Sequence, residues 1–208
     1  MTTTVKNLTY AGYDDWRLPT PKELLGIEDH SRSYPMTYTD FFVVPDSTTQ
    51  VGAGSFWTSK EPINEEYAFV VYFSSGEYST EQKSTESHVR CIRGNELPES
   101  VFINSSVGED EIVTDTTTGL VWQKSYISKT WQEALTYCEN IEYAGFSDWR
   151  LPNRNELANH PELSGSFWTS TSSHVRPGYK TTGAWALYGS DTSGGVVKTS
   201  SSFTKCVR

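Results

Sequence analysis

The sequence predicts an α+β chain in which one architecture is used twice. Three observations carry this reading. The stretch "YAGYDDWRLPTPKEL" at 10–24 returns as "YAGFSDWRLPNRNEL" at 143–157, which aligns Trp16 with Trp149 at an offset of 133. "GSFWTS" occurs at 54–59 and at 165–170, an offset of 111, and "CIR" at 91–93 answers "CVR" at 206–208, an offset of 115. Anchors that keep their order while their offsets drift describe fixed elements joined by loops of unequal length. Two copies are too few for a solenoid, so each half needs its own core. The chain of 208 residues divides at 1–98 and 99–208, each half within the usual range for a domain.

The repeated phrase is a corner leading into a helix. Thr20 stands as N-cap, Pro21 at the first helical position and Glu23 at the third, a capping box with proline where its missing N–H costs nothing. Asn153 and Glu156 repeat the arrangement. Leu24 and Leu157 follow at the fourth position, placed to staple back onto Pro19 and Pro152. "DWRL" precedes a proline in both copies, which biases it toward extended geometry. Trp16 and Trp149 are expected as core anchors, with Trp57, Trp168, Trp122 and Trp131 in the same role. Arg17 and Arg150 are expected to lay their stems on the core and pair with a nearby carboxylate or carbonyl.

A second helix is legible only in the second copy. In "SKTWQEALTYCEN" (128–140) Thr130 caps and Glu133 closes the box, and Trp131, Ala134, Leu135 and Cys138 form one apolar stripe, the helical period. Before it, "TDTTTGLVWQK" (114–124) reads as a turn at Thr118–Gly119 and then a strand. The second copy therefore reads strand, helix, corner, helix, then strands ending at Cys206. The first copy shows no such strand and helix before Tyr10. Either the chain is cut from a longer one or another segment covers the exposed face. Met1 is followed by "TTTVKN", which does not read as a signal peptide.

The composition includes 7 Trp, 12 Tyr and 9 Phe with a net charge of −9. Residues 1–98 carry 8 basic and 14 acidic side chains, and residues 99–208 carry 9 and 12. Phosphate-backbone binding draws on clustered cations, and no lysine or arginine run exists, so nucleic acid is not expected as a partner. Heparin-like polyanions are disfavoured on the same ground. No apolar run is long enough for a transmembrane helix.

The cysteines are Cys91, Cys138 and Cys206. Cys138 lies on the inner face of its helix and Cys206 in the closing strand of the same copy. A bridge between them would close a loop of roughly seventy residues, worth about 4 kcal/mol in the chain-entropy model. The alternative is two buried free thiols. Cys91 is the counterpart of Cys206, but the counterpart of Cys138 is Val5, which leaves Cys91 without a partner. Disulfides, if formed, place the chain in the periplasm, at the cell surface or outside.

"TGLVWQK" (118–124), "TWQEALTYCEN" (130–140), "GFSDWRLPNRNEL" (145–157), "SFWTST" (166–171) and "KCVR" (205–208) together resemble the bacterial family named for the C-terminal domain of the Legionella collagen-like adhesin. The resemblance covers the second copy from about Asp115 and the first from Tyr10 to Arg93. It implies two tandem C-type lectin-like domains, each with a twisted antiparallel sheet and two helices, the first lacking its front half. It also implies a bridge from the first helix to the last strand, here Cys138 to Cys206. The implied role is a surface or secreted module for adhesion or glycan binding. The adhesin that names the family is associated with sulfated polyanions, a ligand class that this acidic chain gives no reason to adopt.

Chemistry is sparse. "EPIN" at 61–64 departs from the calcium triplet of animal lectins, and the acidic "GEDEIVTD" (108–115) reads as a solvated linker. Calcium needs six to eight oxygen ligands. His30, His88, His160 and His174 lack zinc-ligand spacing. No cofactor and no metal are expected. The formylglycine-generating oxidases share a lectin-like core and a phrase similar to "RLPTPKEL", but their chemistry needs two reactive cysteines near the C-terminus. Each copy here has one such cysteine, and no nucleophile elbow is visible. An enzyme is therefore the third reading.

The copies differ most in their loops. Leu24 to Trp57 spans 33 positions and Leu157 to Trp168 spans 11, while Trp168 to Cys206 spans 38 against 34 for Trp57 to Cys91. Tyr34, Tyr38 and Phe41 in the first copy and Tyr179 and Tyr188 in the second are the candidate ligand contacts, suited to stacking on sugar rings or docking on protein. Trp185, aligned with Phe69, is expected in the core. The leading expectation is a non-enzymatic recognition module for a glycan or protein. A structural subunit of an appendage or fibre is the alternative, and self-association through the incomplete first copy is a further partner expectation.

Overall fold

Short β-branched and aromatic runs set between turn residues fold into mostly antiparallel sheet with few helices. The computed structural model describes residues 5, 8–29, 37, 41–42, 54–74, 76–96, 98–158, 160, 163–173, 183–188 and 192–208. The chain divides into two compact units, Met1–Leu97 and Pro98–Arg208.

In the first unit, β1 (Trp16–Arg17) leads into α1 (Pro21–Leu25), and β2 (Ser55–Trp57), β3 (Tyr67–Tyr72) and β4 (Glu77–Gln82) form an antiparallel meander. The last strand, β5 (Ile92–Arg93), returns antiparallel to β1. Ala68 to Val71 are all buried in β3, so this strand is covered on both faces. The guanidinium of Arg90 is ringed by Phe56, Phe42 and Phe73, with ring centroids at 4.6, 5.0 and 5.2 Å. A cation over ring faces in this way offsets part of its own desolvation.

The second unit begins with a three-stranded antiparallel sheet of β6 (Phe102–Val107), β7 (Asp110–Asp115) and β8 (Val121–Gln123). Then come β9 (Ile127–Thr130), α2 (Trp131–Asn140), α3 (Arg154–Leu157), β10 (Ser166–Ser173), β11 (Gly183–Tyr188), β12 (Thr192–Val197) and β13 (Ser201–Thr204). Their sheet has the order β12-β11-β10-β13-β9, antiparallel throughout except for the β10–β13 pair. Cys138 in α2 is bonded to Cys206, with Cα atoms 5.5 Å apart. Trp149, Trp168, Ala134, Ile112 and both of these cysteines share one buried cluster. Trp122, Val113, Leu157, Phe167 and Val207 form another.

The same pairings recur at the offsets read from the sequence. Arg17 faces Ile92 in the first unit and Arg150 faces Val207 in the second. Phe56 bridges His88 in parallel, and Phe167 bridges Phe203 in parallel. Ser55 bonds Ser87 at 3.1 Å, and Ser166 bonds Ser202 at 3.1 Å.

The repeated phrase owes its first half to a tight turn. Ala11 and Gly12 have φ of 52° and 80°, and Ala144 and Gly145 have 53° and 75°, the two successive positive values that a type I′ hairpin turn requires. The turn joins Tyr10 to Tyr13 and Tyr143 to Phe146 in small antiparallel bridges. Trp16 and Trp149 close them, each indole N–H donating to the carbonyl of the leading tyrosine at 3.1 and 3.0 Å. The second half is the helix cap. Thr20 Oγ1 and Asn153 Oδ1 accept from Glu23 N and Glu156 N, and the two glutamates accept from the cap N–H groups at 2.8 Å. In α2, Thr130 N and Oγ1 both donate to Glu133.

Arg17 and Arg150 pair with these same cap glutamates. Arg17 reaches Glu23 through both terminal nitrogens at 2.8 and 2.6 Å, and Arg150 reaches Glu156 through both at 2.7 Å. The glutamate thus caps the helix and anchors the corner in one fork-to-fork interaction.

Two expectations need correcting. "GEDEIVTD" is no linker: Gly108 forms the turn of the β6–β7 hairpin, and Ile112 and Val113 are buried in two different clusters. Its acids are engaged, Asp110 accepting from Ala144 N at 2.7 Å and Glu111 pairing with Lys124 at 2.9 Å. Trp16 and Trp131 are half-buried and not fully in the core. Trp149 is sealed by Ile112 and Ala134, and the described residues of the first unit hold no equivalents of β7, β8 or β9 to do this for Trp16. Val5, which stands at the place of Cys138, is helical and buried.

Candidate functional site

On the second unit an open depression of about 410 Å³ is lined by Thr130, Trp131, Gln132, Lys198 and Thr199. Backbone pairing assembles it. β9 lies beside β13 with Thr130 opposite Ser201, which brings the start of α2 next to the turn after β12. The N–H of Trp131 donates to the Lys198 carbonyl at 3.1 Å, and its indole N–H donates to the Thr169 carbonyl at 2.8 Å. The ring is therefore fixed at both ends.

The Lys198 ammonium lies 3.8 Å from the Trp131 ring centroid and 3.4 Å from Ser172 Oγ. The aromatic face positions this cation at the rim. Glu133, behind the cap, is held below the ordinary carboxylate range by the Thr130 N–H, with the Thr130 hydroxyl adding to it. Two threonines, a glutamine, a lysine and a tryptophan thus line the depression, with the Thr130 hydroxyl donating to Glu133 and the indole N–H to Thr169. Such a set can exchange hydrogen bonds with sugar hydroxyls or peptide groups.

Of the ligand contacts singled out from the sequence, the two that are described, Phe41 and Tyr188, do not line this depression. Phe41 is 81% exposed on the first unit, and Tyr188 is 45% exposed at the end of β11, its phenol pKa raised by partial burial. Tyr34, Tyr38 and Tyr179 lie outside the described residues, as do His30 and His174. His88 packs on Phe56 with centroids 5.3 Å apart, and His160 sits edge-on to Trp122 at 4.8 Å; both are packing residues. Among the described residues no three His, Cys, Asp or Glu side chains gather to hold a metal ion. Cys91 is a half-buried free thiol whose pKa is raised by that burial.

The depression had no signal in the sequence. Its aromatic and its lysine are 67 positions apart, and the sheet register alone brings them together.

The family described as the Lcl C-terminal domain matches residues 1–93 and, again, residues 111–208. The chain belongs to this family. Both matches to the Lcl C-terminal domain end on an arginine that pins the corner of its unit, Arg93 on Asp15 and Arg208 on Asp148. No curated protein and no solved structure matches the chain. Among the described residues no helix is long and apolar enough to cross a membrane. An Lcl C-terminal domain with a disulfide is compatible with an extracellular or surface location.

Proposed function

We propose that the chain is a non-enzymatic recognition module of an extracellular or surface protein, built of two C-type lectin-like units, and that its second unit holds a glycan or a protein segment at the depression around Trp131. The name of the family, which points to a domain of a collagen-like protein, supports the surface setting. The lectin-like reading is supported by a helix tied to the last strand through Cys138 and Cys206 and by the mixed five-stranded sheet. The observation that carries the recognition reading is the depression itself: a fixed half-buried tryptophan edged by Lys198, Gln132, Thr130 and Thr199. A few placed polar groups beside an aromatic side chain can orient a polar ligand.

A glycan array probed with the full chain, followed by titration of any hit, tests this. Saturable binding that falls at least about tenfold in Gln132→Ala and Lys198→Ala, the loss of one or two good hydrogen bonds, supports it. Binding untouched by both substitutions moves the site elsewhere. Silence on the array and against surface proteins favours the alternative, a structural subunit.

A further inference from the structure

Strand β6 is the edge of its sheet: it pairs with β7 and, among the described residues, with nothing on its other side. Exposed edges are usually blunted by charge, proline or a bulge. Strand β4 carries Glu77 and Glu81, β9 carries Lys129, and β12 is interrupted by Gly194 and Gly195. The run "VFINSSV" at 101–107 has no charge, no proline and no glycine. Val101, Ile103 and Val107 are 58%, 53% and 47% exposed. Being an even number of residues apart, they share one face of the sheet with Ser105.

The hydrogen-bond phase of the edge is fixed. Thr116 N–H donates to the Val101 carbonyl at 2.8 Å, and Ile103 faces Thr114, Ser105 faces Ile112 and Val107 faces Asp110. Bonded and non-bonded residues alternate along an antiparallel strand, so the odd residues spend their peptide groups on β7. Phe102, Asn104 and Ser106 direct theirs outward. A two-fold axis beside Ser105 would pair Asn104 with Ser106 of a second copy through those outward groups. It would also set Ile103 opposite Val107 of the second copy, twice, with the two Ser105 side chains facing each other. Aliphatic pairs at such positions stabilise a sheet. The net charge of −9 opposes association, and the run keeps every charged side chain off the axis.

We propose that β6 is a self-pairing edge that joins two copies of the chain into one continuous sheet through Ile103, Ser105 and Val107. The pattern is complementary to itself in that register, which makes a second copy the occupant.

Sedimentation equilibrium of the full chain over a concentration series tests this. A dimer is expected whose dissociation constant rises at least about tenfold in Ser105→Lys, which sets two ammonium groups face to face. Ser105 is exposed, and an unchanged thermal melt confirms that the variant folds. In a Cys91→Ser background, Ser105→Cys is expected to cross-link to itself under mild oxidation. Ser106→Cys, on the opposite face, is the control and stays uncross-linked. A monomer throughout, a dimer indifferent to Ser105→Lys, or equal cross-linking at 105 and 106 overturns the proposal. None of these outcomes depends on a ligand, so the recognition reading stands or falls separately.

Discussion

Arg208 Nε donates to Asp148 Oδ1 at 2.7 Å while its guanidinium lies 3.7 Å from the Phe146 ring centroid. Arg93 does the same in the first unit, 3.1 Å from Asp15 and 3.6 Å from the ring of Tyr13. The fifteen-residue phrase is therefore half of a clasp, whose other half is the arginine of "CIR" or "CVR". Hydrogen bonds from the two arginines hold Asp15 and Asp148 below the usual carboxylate range. Both carboxylates are open to solvent, where an ion pair alone contributes little. The arginine stem and its stacking on the aromatic ring carry more of the stabilisation. Replacing Arg208 by Met should accordingly lower the denaturation midpoint less than replacing it by Ala. Equal losses in the two variants would show that charge, and not packing, closes the clasp.

The Cys138–Cys206 bridge spans 68 residues. Closing a loop of that length is worth about 4 kcal/mol in the chain-entropy model. The double variant Cys138→Ser, Cys206→Ser should melt the second unit well below its parent and leave the first unit's transition in place. Calorimetry reads both transitions; a trace unchanged by the substitutions would mean that the bridge adds nothing beyond the buried cluster.

Cys91 gives a chemical signature. The native chain should present one thiol to a chromogenic disulfide reagent, more slowly than free cysteine because burial raises its pKa. The count should stay at one on denaturation and reach three only after reduction. Three thiols before reduction would remove the bridge, and with it the main support for the lectin-like reading.

Gly165 has φ of +108°, and a Cβ there would lie 2.5 Å from Phe203 Cε2. Phe203 is wedged against Phe167 and Tyr126, with centroids 5.3 and 4.7 Å away, and so has little room to yield. Gly165→Ala should cost about 2 kcal/mol or more, as overpacking does. Chemical denaturation monitored by tryptophan fluorescence gives the number, and a loss below half that value would mean that the ring moves freely.

What was legible in the sequence was local or duplicated. The cap pairs Thr20–Glu23, Thr130–Glu133 and Asn153–Glu156 are three residues apart, and a single helical turn brings each pair together. The Arg17–Glu23 pair, six apart, follows once the corner is known. The β6–β7 hairpin was hidden because four acids in seven residues from Glu109 outweigh the short Ile112–Val113 pair in any composition reading. Asp115 shows why such a reading fails. Its burial would raise its pKa, but Thr118, Ser100 and the N–H groups of Thr117 and Thr118 bond it and bring the pKa below the ordinary value. It organises the turn before β8. Trp16 could not be ranked below Trp149 because their local sequences are alike and only the cover from β7 and α2 differs. Lys198 and Trp131 met through β9 and β13, strands whose register no local pattern reveals.

Glu23 makes the first unit sensitive to acid. Its carboxyl is bonded by both terminal nitrogens of Arg17 and by the N–H and hydroxyl of Thr20. The Arg17 bonds are the main reason that its pKa falls from 4.5 to about 2. The unfolded chain therefore takes up this proton at a higher pH than the folded one. The associated stability is fully present above the unfolded value and is lost as pH falls from about 4.5 toward 2. The side chain is only 6% exposed, so screening removes little of the effect, which amounts to about 2 to 3 kcal/mol. Denaturant midpoints measured at steps between neutral pH and pH 2.5 should fall through this window in the wild type. In Glu23→Gln the midpoint should start lower and fall less. Parallel acid slopes in the two proteins would show that the corner's ion pair is not what acid breaks.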